Sequence, residues 1–369
     1  MVWIYSGFVS LILFLLALDL GVFHRKAHVI SVREALGWSA FWIFLGVSFS
    51  LFIYFGYEDH WLGLGLTPDM MGSAPRLVEG LGTVYNDGAS ATMKYLTGYL
   101  VEKSLSVDNI FVISMIFAFL AVPQIYQHRV LFWGIVGALL MRGVMIAVGA
   151  AMIQQFTWII YVFGGFLILT GVKMLVLKSQ NADPHSNIVV RFTRRLFPIT
   201  QRFHGQHFFV RAGSTASHEA PVPGAENLRD DVVESSPAGT RLATPLLLAL
   251  VMVEFTDVIF AVDSIPAIFA ITADPFLVFS SNVFALLGLR SLYFALAGMI
   301  EKFRYLKVSL ALVLILVGVK MMMHTWLKEM LGSNFNLYLL AAVIFILAGG
   351  VVASLLATKT AGSSGSHGS

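Results

Sequence analysis

Long apolar runs dominate this 369-residue chain and constrain its fold more than any other feature. An α-helix needs about 20 apolar residues to cross the hydrocarbon core of a bilayer. Runs of that length lie at about 2–20, 37–56, 95–121, 129–152, 156–177, 243–273, 276–298, 306–327 and 335–357. Only 12% of the residues are charged, against about 25% in soluble domains. The sequence therefore excludes a soluble fold and predicts an all-α polytopic membrane bundle of about nine transmembrane helices.

The charges of the short connections predict how these spans are oriented. The connections after the first, fifth and seventh spans are rich in Arg and Lys, whereas the connection after the second is acidic. Because basic loops stay on the cytoplasmic side, we expect the N-terminus outside and the C-terminus in the cytoplasm of a bacterial inner membrane. The basic residues are dispersed over short loops, so we expect no nucleic-acid partner despite the net charge of +3.

Two units of the chain resemble each other. The matching segments are SVDNIFVI (106–113) with AVDSIPAI (261–268), and LTGVKM (169–174) with LVGVKM (316–321). Between these segments each unit carries an arginine inside an apolar span, Arg142 in the first and Arg290 in the second. The loop charges give the units opposite orientations, so we expect an inverted repeat of three-helix units. Secondary transporters often have this plan, with the substrate site at the repeat interface.

The repeat and the loops divide the chain into six parts. The predicted parts are two spans with an acidic outer loop (1–94), the first three-helix repeat (95–177), a cytoplasmic linker (178–241), the second, inverted repeat (242–329), a last span (330–357) and a disordered tail (358–369). The middle of the linker, 212–240, is rich in Ser, Pro, Ala and acidic residues and lacks an apolar period, so we expect it to be flexible.

Charged residues inside the apolar spans are the candidate functional residues. They are Glu102 and Asp108 in span three, Arg142 in span four, Glu254, Asp257 and Asp263 in span six, and Arg290 in span seven. Each charge at the centre of a membrane helix costs roughly 3 kcal/mol, so these side chains must be paired, hydrated or bound to cations.

The repeat aligns the acids of spans three and six. Glu102 matches Asp257, Asp108 matches Asp263, and Asn109 and Ser264 match beside them. Two carboxylates that are six residues apart on a straight helix lie about 120° apart around the helix axis. One helix alone therefore cannot chelate an ion with both of them. Two inverted helices can instead bring Asp108 and Asp263 to one ion near the midplane. We also expect Pro266 to open span six beside Ser264 and to free carbonyl oxygens there.

The ligand types favour a hard divalent cation. The chain has no cysteine, and carboxylate, amide, hydroxyl and carbonyl oxygens suit Mg²⁺, Ca²⁺ and Mn²⁺ better than Zn²⁺ or Cu⁺.

Several roles remain open at this stage. Arg142 and Arg290 are either structural counter-ions or partners that switch during transport, and Glu254 is either a direct ligand or a structural or proton-carrying acid. Asp19 near the end of span one either lines an ion path or sits in the interface. Lys173 and Lys320, near span ends, are expected to extend their ammonium groups to the membrane surface.

At three motifs the sequence resembles the TerC family of integral membrane proteins, including the Alx-type manganese exporters. The motifs are YLTGYLVEKSLSVDNIFV (95–112), VPQIYQHRVLFWG (122–134) and EFTDVIFAVDSIPAIFAIT (254–272), and the resemblance extends over about 95–330. It implies Mn²⁺ efflux and an association with tellurite resistance. The implied ion-path residues are Glu102, Asp108, Asn109, Glu254, Asp257, Asp263 and Ser264.

The sequence therefore predicts a membrane transporter that exports Mn²⁺ from the cytoplasm, with no enzymatic activity and no resident cofactor. Its energy comes from the membrane potential or from proton antiport, since the sequence contains no Walker motif for ATP. The alternative is a membrane assembly or metallation factor for exported proteins, which does not itself transport. The sequence leaves the choice among hard cations, the coupling ion and the oligomeric state open.

Overall fold

Nine stretches of helix follow the nine apolar runs in a computed structural model of the chain. It describes residues 2–21, 31–69, 71, 75–156, 158–176, 191, 193, 195, 198–214, 230–296, 305–323, 326–327, 330 and 335–363. The helices are α1 (Val2–Gly21), α2 (Val32–Glu58), α3 (Gly88–Phe119), α4 (Gln124–Gln155), α5 (Ile159–Val176), the short α6 (Asp231–Ser235), α7 (Pro245–Phe269), α8 (Pro275–Leu286), α9 (Leu289–Leu296), α10 (Leu306–Met322) and α11 (Phe335–Ser363). The chain is therefore a polytopic helical membrane protein, as predicted.

Seven stretches in the described residues are long and apolar enough to cross a membrane. They belong to α1, α2, α4, α5, α7, the α8–α9 pair and α11. The count of nine stays a prediction, because α10 offers only the shorter apolar stretch Val308–Met322 and α3 is not among the seven. Within the α8–α9 stretch, 83% of an 18-residue segment is buried, so this stretch runs through the centre of the bundle.

Polar residues at the helix starts account for several of the helix boundaries. Ser31 accepts a hydrogen bond from the backbone N–H of Glu34 at the start of α2, and Asp87 accepts one from Ser90 at the start of α3. Asp274 caps α8, whose first residue is Pro275. The backbone N–H of the first helical residue has no acceptor within the helix, so proline loses no hydrogen bond at this position. Its fixed φ also suits the first turn of a helix.

The third helices of the two predicted repeats, α5 and α10, pack tightly through small residues. A Cβ atom on Gly171 would lie 2.8 Å from the Ala311 carbonyl oxygen, and one on Gly318 would lie 2.8 Å from the Gly164 carbonyl oxygen. The repeat offset of 147 residues converts the first contact into the second. Because Gly171 meets Ala311 while Gly164 meets Gly318, the two helices are antiparallel, which is the relation that an inverted repeat requires of them.

The other helices of the two predicted repeats also pack against helices of the opposite repeat. Helix α3 packs against α8, and α7 packs against α4. The first helix of each unit thus contacts the second helix of the other unit. This arrangement brings the charged residues of α3, α4 and α7 to the centre of the bundle, while the inverted repeat as a whole stays a prediction.

Two expectations about chain breaks are wrong. Helix α7 continues through Pro266 to Phe269, because Pro266 lies only one turn before the helix end and disturbs little. In the predicted disordered tail, residues 358–363 continue α11, while 364–369 lie outside the described residues.

Part of the linker is folded, against the expectation from its composition. Strand β3 (Phe209–Arg211) pairs antiparallel with β4 (Arg241–Ala243). A small core of Val210, Ala212, Val233 and Leu242 lies beneath them, and buried Asp230 accepts backbone hydrogen bonds from Arg202 and Val232. Four apolar side chains are too weak a signal to find by composition. Residues 178–190 and 215–229 lie outside the described residues.

A buried polar cluster fastens the segment between α2 and α3 to the rest of the protein. This segment contains the hairpin of β1 (Arg76–Val78) and β2 (Gly82–Val84). The cluster, called the outer polar cluster below, consists of Asp69, Asn86, Lys94, Thr272 and Asp274, all buried. Asp69 accepts hydrogen bonds from Lys94 Nζ at 2.9 Å, Thr272 Oγ1 at 2.6 Å and the Ala273 backbone N–H at 2.8 Å. Asn86 Nδ2 bridges to Asp274 at 3.5 Å.

The charges of this cluster act on its two acids in opposite directions. Burial alone would raise the pKa of Asp69, but Lys94 and the hydrogen bonds of Thr272 and Ala273 bring that pKa well below its usual range. Burial and the charge of Asp69 raise the pKa of Asp274 to about 6. The protonated form of Asp274 is therefore the one that folding favours.

Lys320 lies behind the outer polar cluster instead of reaching the membrane surface. It is 2% exposed, and its ammonium group donates hydrogen bonds to the carbonyl oxygens of Ala270 and Ile271. The expectation of an extended side chain was therefore wrong, because carbonyls at the C-terminal end of α7 offer it partners. Lys173 is exposed, as expected.

We predict that single cysteines in this cysteine-free chain will report opposite sides of the membrane. Glu79→Cys in the exposed β1–β2 turn should react with an impermeant maleimide added to intact spheroplasts, and Ser235→Cys in α6 should react only after lysis. Both positions are exposed, so labelling depends on the side and not on burial. The unsubstituted chain is the blank control. Labelling of both cysteines from the same side would contradict the inverted repeat.

We predict that Asp274 makes the protein more stable as the pH falls. The folded state binds this proton with a pKa of about 6, whereas the ordinary value is 3.8, so the free energy of unfolding should decrease as pH rises between these values. The pKa of Asp69 is lowered, so this residue changes the free energy of unfolding only at pH values below this range. Thermal unfolding in detergent between about pH 4.5 and pH 7.5 should show this slope in the wild type and lose it in Asp274→Asn, which keeps the helix cap. Equal slopes in both proteins would contradict the prediction.

Candidate functional site

The central feature of the bundle is the fully buried guanidinium group of Arg142 on α4. It makes two hydrogen bonds to Asp257 of α7, from Nη2 to Oδ1 at 3.0 Å and from Nε to Oδ2 at 3.2 Å. Nη1 also donates to Oε1 of Glu102 on α3. A bidentate pair between arginine and carboxylate is a strong and geometrically specific interaction. Arg142 thus joins one acid from each predicted repeat.

Two neutral side chains complete the surroundings of Arg142. Nη1 lies 2.9 Å from Oδ1 of Asn282 on α8 and 3.3 Å from Oγ of Ser264 on α7. These four helices therefore meet at one guanidinium group. We call Arg142, Glu102, Asp257, Ser264 and Asn282 the arginine clamp.

The arginine clamp carries more negative than positive formal charge. Two carboxylates face one guanidinium, so the clamp has a formal charge of −1 when both acids are ionised. Glu102 is 0% exposed and Asp257 is 8% exposed, and burial of a net charge in a medium of low polarity is costly. The arrangement favours an additional cation or proton close by.

Three buried polar atoms at this centre have no hydrogen-bond partner in the structure. They are Glu102 Oε2, Asn109 Oδ1 and Asn282 Nδ2. Asn109 and Asp257 also line a small cavity of about 20 Å³, together with Thr256 and apolar residues of α4 and α9. This volume is close to that of one water-sized group. Unpartnered acceptors beside such a cavity are typical of a place where a small polar species enters.

Glu254 lies close to the clamp, on the same helix as Asp257. A Cβ atom on Gly137 of α4 would fall 1.9 Å from the Glu254 carboxylate, so the carboxylate occupies the space that the glycine leaves open. Any larger residue at position 137 would displace Glu254.

The structure places Asp108 and Asp263 outside the arginine clamp. Both are half buried, and Asp263 accepts a hydrogen bond from Thr170 Oγ1 of α5 at 3.3 Å. Among the described residues, no group of three or more His, Cys, Asp or Glu side chains is arranged to hold a metal ion. A shared site of Asp108 and Asp263 therefore stays a prediction.

Arg290, the repeat counterpart of Arg142, has a different partner. Its Nη2 atom lies 2.7 Å from Oδ1 of Asp19 on α1, and both side chains are buried. Asp19 is thus paired inside the protein near the end of the first helix. The two repeats are alike in sequence here but differ in their contacts.

Sequence reasoning missed two sets of residues at this level. Asn282 was missed because this neutral residue of the segment FSSNVFAL has no polar counterpart in the first repeat, where Gly134 occupies the aligned position. The outer polar cluster was missed because Asp69 lies in an acidic loop that is typical of solvent exposure. The sequence did offer one signal, because Lys94 lies near the start of an apolar span and needs a buried acid such as Asp69 as its partner.

We predict that Arg142→Gln lowers the amount of protein in the membrane several-fold. It leaves the carboxylates of Glu102 and Asp257 buried without a cation, and removal of one partner from a buried ion pair costs about 3 to 5 kcal/mol. Adding Asp257→Asn should restore part of the abundance, because it removes one of the two unpaired charges. Quantitative immunoblots of membranes measure this, with exposed Lys173→Gln as the matched control. Wild-type abundance of Arg142→Gln would show that the clamp is not structural.

Comparison with known proteins agrees with this architecture. A sequence model described as the integral membrane protein TerC family matches residues 87–362. An uncharacterized membrane protein of Myxococcus xanthus is 44% identical over 97% of this chain and 93% of its own length. Relatives named "Putative membrane-bound redox modulator Alx" are 38% identical in Salmonella typhi and 37% identical in Escherichia coli strain K12, each over 92% of this chain and 93% of the relative. No solved structure matches the chain. The chain therefore belongs to the TerC family of integral membrane proteins.

Proposed function

We propose that this protein exports a hard divalent cation, Mn²⁺ as the first choice, from the cytoplasm across the bacterial inner membrane. The observation that carries the proposal is the buried excess of carboxylate over guanidinium in the arginine clamp, beside unpartnered oxygen atoms. Ionisable residues at membrane depth are costly and mark ion pathways in transport proteins.

The ligand chemistry supports a hard cation. The site offers carboxylate oxygens from Glu102 and Asp257, the amide oxygen of Asn109 and the hydroxyl of Thr256, with Asp108 and Asp263 on the same two helices. Cysteine is absent from the chain. Oxygen ligands of this kind suit Mn²⁺, Mg²⁺ and Ca²⁺.

Arg142 has a definite role in this mechanism. Its guanidinium binds Asp257 and Glu102 while no ion is bound, and it offsets one of their two negative charges. An incoming divalent cation competes with it for the same carboxylates. Glu254, half buried beside Gly137, is the candidate proton acceptor if export is coupled to proton entry. Export of this kind needs no resident cofactor, and we propose no enzymatic activity.

The relatives' printed name refers to redox modulation, which this chain cannot perform by thiol exchange because it has no cysteine. An effect on redox state would follow from the ions that the protein moves. The rival function is a membrane scaffold for assembly or metallation of exported proteins, in which the buried charges are only structural. The two functions differ in whether the wild-type protein itself moves Mn²⁺ and whether acids outside the clamp are needed for that movement.

We predict that Asp108→Asn and Asp263→Asn each reduce Mn²⁺ efflux at least about tenfold while membrane abundance is kept. The amide removes the charge that offsets dehydration of a divalent ion, and at position 263 it still accepts the hydrogen bond from Thr170. ⁵⁴Mn²⁺ efflux and immunoblots on the same cells, in a host without its own exporter, measure both quantities.

Lys173→Gln, exposed on α5, is the matched control and should behave as wild type. Proteoliposomes that contain the wild-type protein, tested with Mn²⁺, Mg²⁺ and Ca²⁺, determine the cation. Normal efflux in both Asn variants would rule out these two acids as ligands. A loss of abundance equal to the loss of efflux would favour the scaffold.

A further inference from the structure

The two predicted repeats use their equivalent arginines differently, and this difference carries an inference that rests on the proposed transport function. Arg142 lies in the arginine clamp, whereas Arg290 pairs with Asp19. Inverted-repeat transporters alternate between two states by moving one repeat against the other around the fixed site. If the repeats exchange their conformations, Arg290 takes contacts equivalent to those that Arg142 has now.

Repeat equivalence specifies the contacts that Arg290 would gain. The partners of Arg142 are Asp257, Glu102, Ser264 and Asn282. The first three have the counterparts Glu102, Asp257 and Asn109, in that order, whereas the counterpart of Asn282 is Gly134, which offers no side-chain acceptor. In the exchanged state Arg290 would therefore bind the same two acids that Arg142 binds now. The amide oxygen of Asn109 would accept a hydrogen bond in place of the hydroxyl of Ser264.

The structure leaves open the acceptors that this exchange needs. Asn109 Oδ1 and Glu102 Oε2 are buried and have no hydrogen-bond partner, although Ser264, the counterpart of Asn109, accepts a hydrogen bond from Arg142. A buried acceptor that lacks a hydrogen bond destabilises the state in which it lacks one. The orphan atoms are thus the positions that Arg290 would occupy after exchange.

Arg290 lies beside this region on a separate piece of helix. The span breaks between α8, which ends at Leu286, and α9, which begins at Leu289. Arg290 lines a cavity with Asp19, while its neighbour Leu289 lines the second cavity with Asn109 and Asp257. Ile135 lines both cavities. The two cavities are therefore adjacent, and a broken helix can turn without loss of a continuous hydrogen-bond ladder.

We propose that Arg142 and Arg290 alternate as the tethered cation of the central acids, with Asp19 of α1 holding Arg290 while Arg142 occupies the clamp. In the other state Arg290 leaves Asp19 and binds Glu102, Asp257 and Asn109. The central acids then have one arginine partner in each empty state, and the divalent ion replaces that arginine between them. Asp19 is a positioning residue that sets the balance between the states.

Spin labels on a cysteine-free chain can measure this balance directly. Cysteines at exposed Leu13 of α1 and half-buried Leu292 of α9 accept nitroxide labels, and pulsed electron paramagnetic resonance gives the separations. We expect two separations in the wild type, one of which matches the present structure. A single separation under all conditions would overturn the proposal.

Equivalent substitutions in the two repeats should shift this balance in opposite directions. Asn109→Ala removes an acceptor that only the exchanged state uses, so it should favour the present separation by about tenfold. Ser264→Ala removes an acceptor that the present state uses, so it should favour the other separation by a similar factor. Asn109 makes no hydrogen bond through its oxygen here, so its loss should not harm folding. Shifts in the same direction, or none, would contradict the exchange.

A charge swap separates exchange from a purely structural ion pair. The double variant Asp19→Arg with Arg290→Asp keeps an ion pair between α1 and α9, but it presents a carboxylate to the central acids in the exchanged state. We expect kept membrane abundance, the present separation alone and Mn²⁺ efflux at least about tenfold below wild type. Wild-type efflux in this variant would overturn the proposal. If the wild type moves no Mn²⁺, the transport function fails, while the separations still decide whether the arginines exchange.

Discussion

The structure depends on one guanidinium group shared by two carboxylates in a region of low polarity. Without Arg142, both Glu102 and Asp257 would be charged and unpaired at membrane depth, which a bundle of apolar helices cannot offset cheaply. The bidentate contact to Asp257 and the contact to Glu102 join α4 to α7 and α3. The positions of these helices then determine where α8, packed on α3 and α4, can run.

The outer polar cluster and the arginine clamp differ in how completely their hydrogen-bonding groups are satisfied. Asp69 in the outer polar cluster accepts hydrogen bonds from Lys94, Thr272 and backbone N–H groups, so the cluster is held in one arrangement. The arginine clamp retains unpartnered atoms on Glu102 and Asn109. A fully satisfied network favours a unique conformation, whereas a partly satisfied one leaves buried atoms that another arrangement could pair. The outer polar cluster is therefore suited to a structural role, and the arginine clamp is suited to a conformational change.

The sequence predicted the helical membrane bundle and singled out four of the five residues of the arginine clamp, but it indicated neither Asn282 nor the way these side chains pair. Apolar length locates the spans, and a charge within such a run stands out as a candidate functional residue. The ion pair between Arg290 and Asp19 could not be predicted from the sequence. The repeat makes Arg290 equivalent to Arg142, and Asp19 lies outside the repeat. The folded part of the linker was hidden too, since its core of four side chains around Val233 is too small to affect composition. Lys320 was misassigned because its acceptors belong to the end of another helix.

The reciprocal contact between α5 and α10 has a consequence for the origin of the chain. Gly171 meets Ala311 as Gly318 meets Gly164, so each helix carries both sides of the same contact. A contact of this kind is self-complementary, like the interface of a symmetric dimer. One three-helix unit would already contain everything needed to bind an upside-down copy of itself, and joining two copies in a single gene would require no new surface at this crossing.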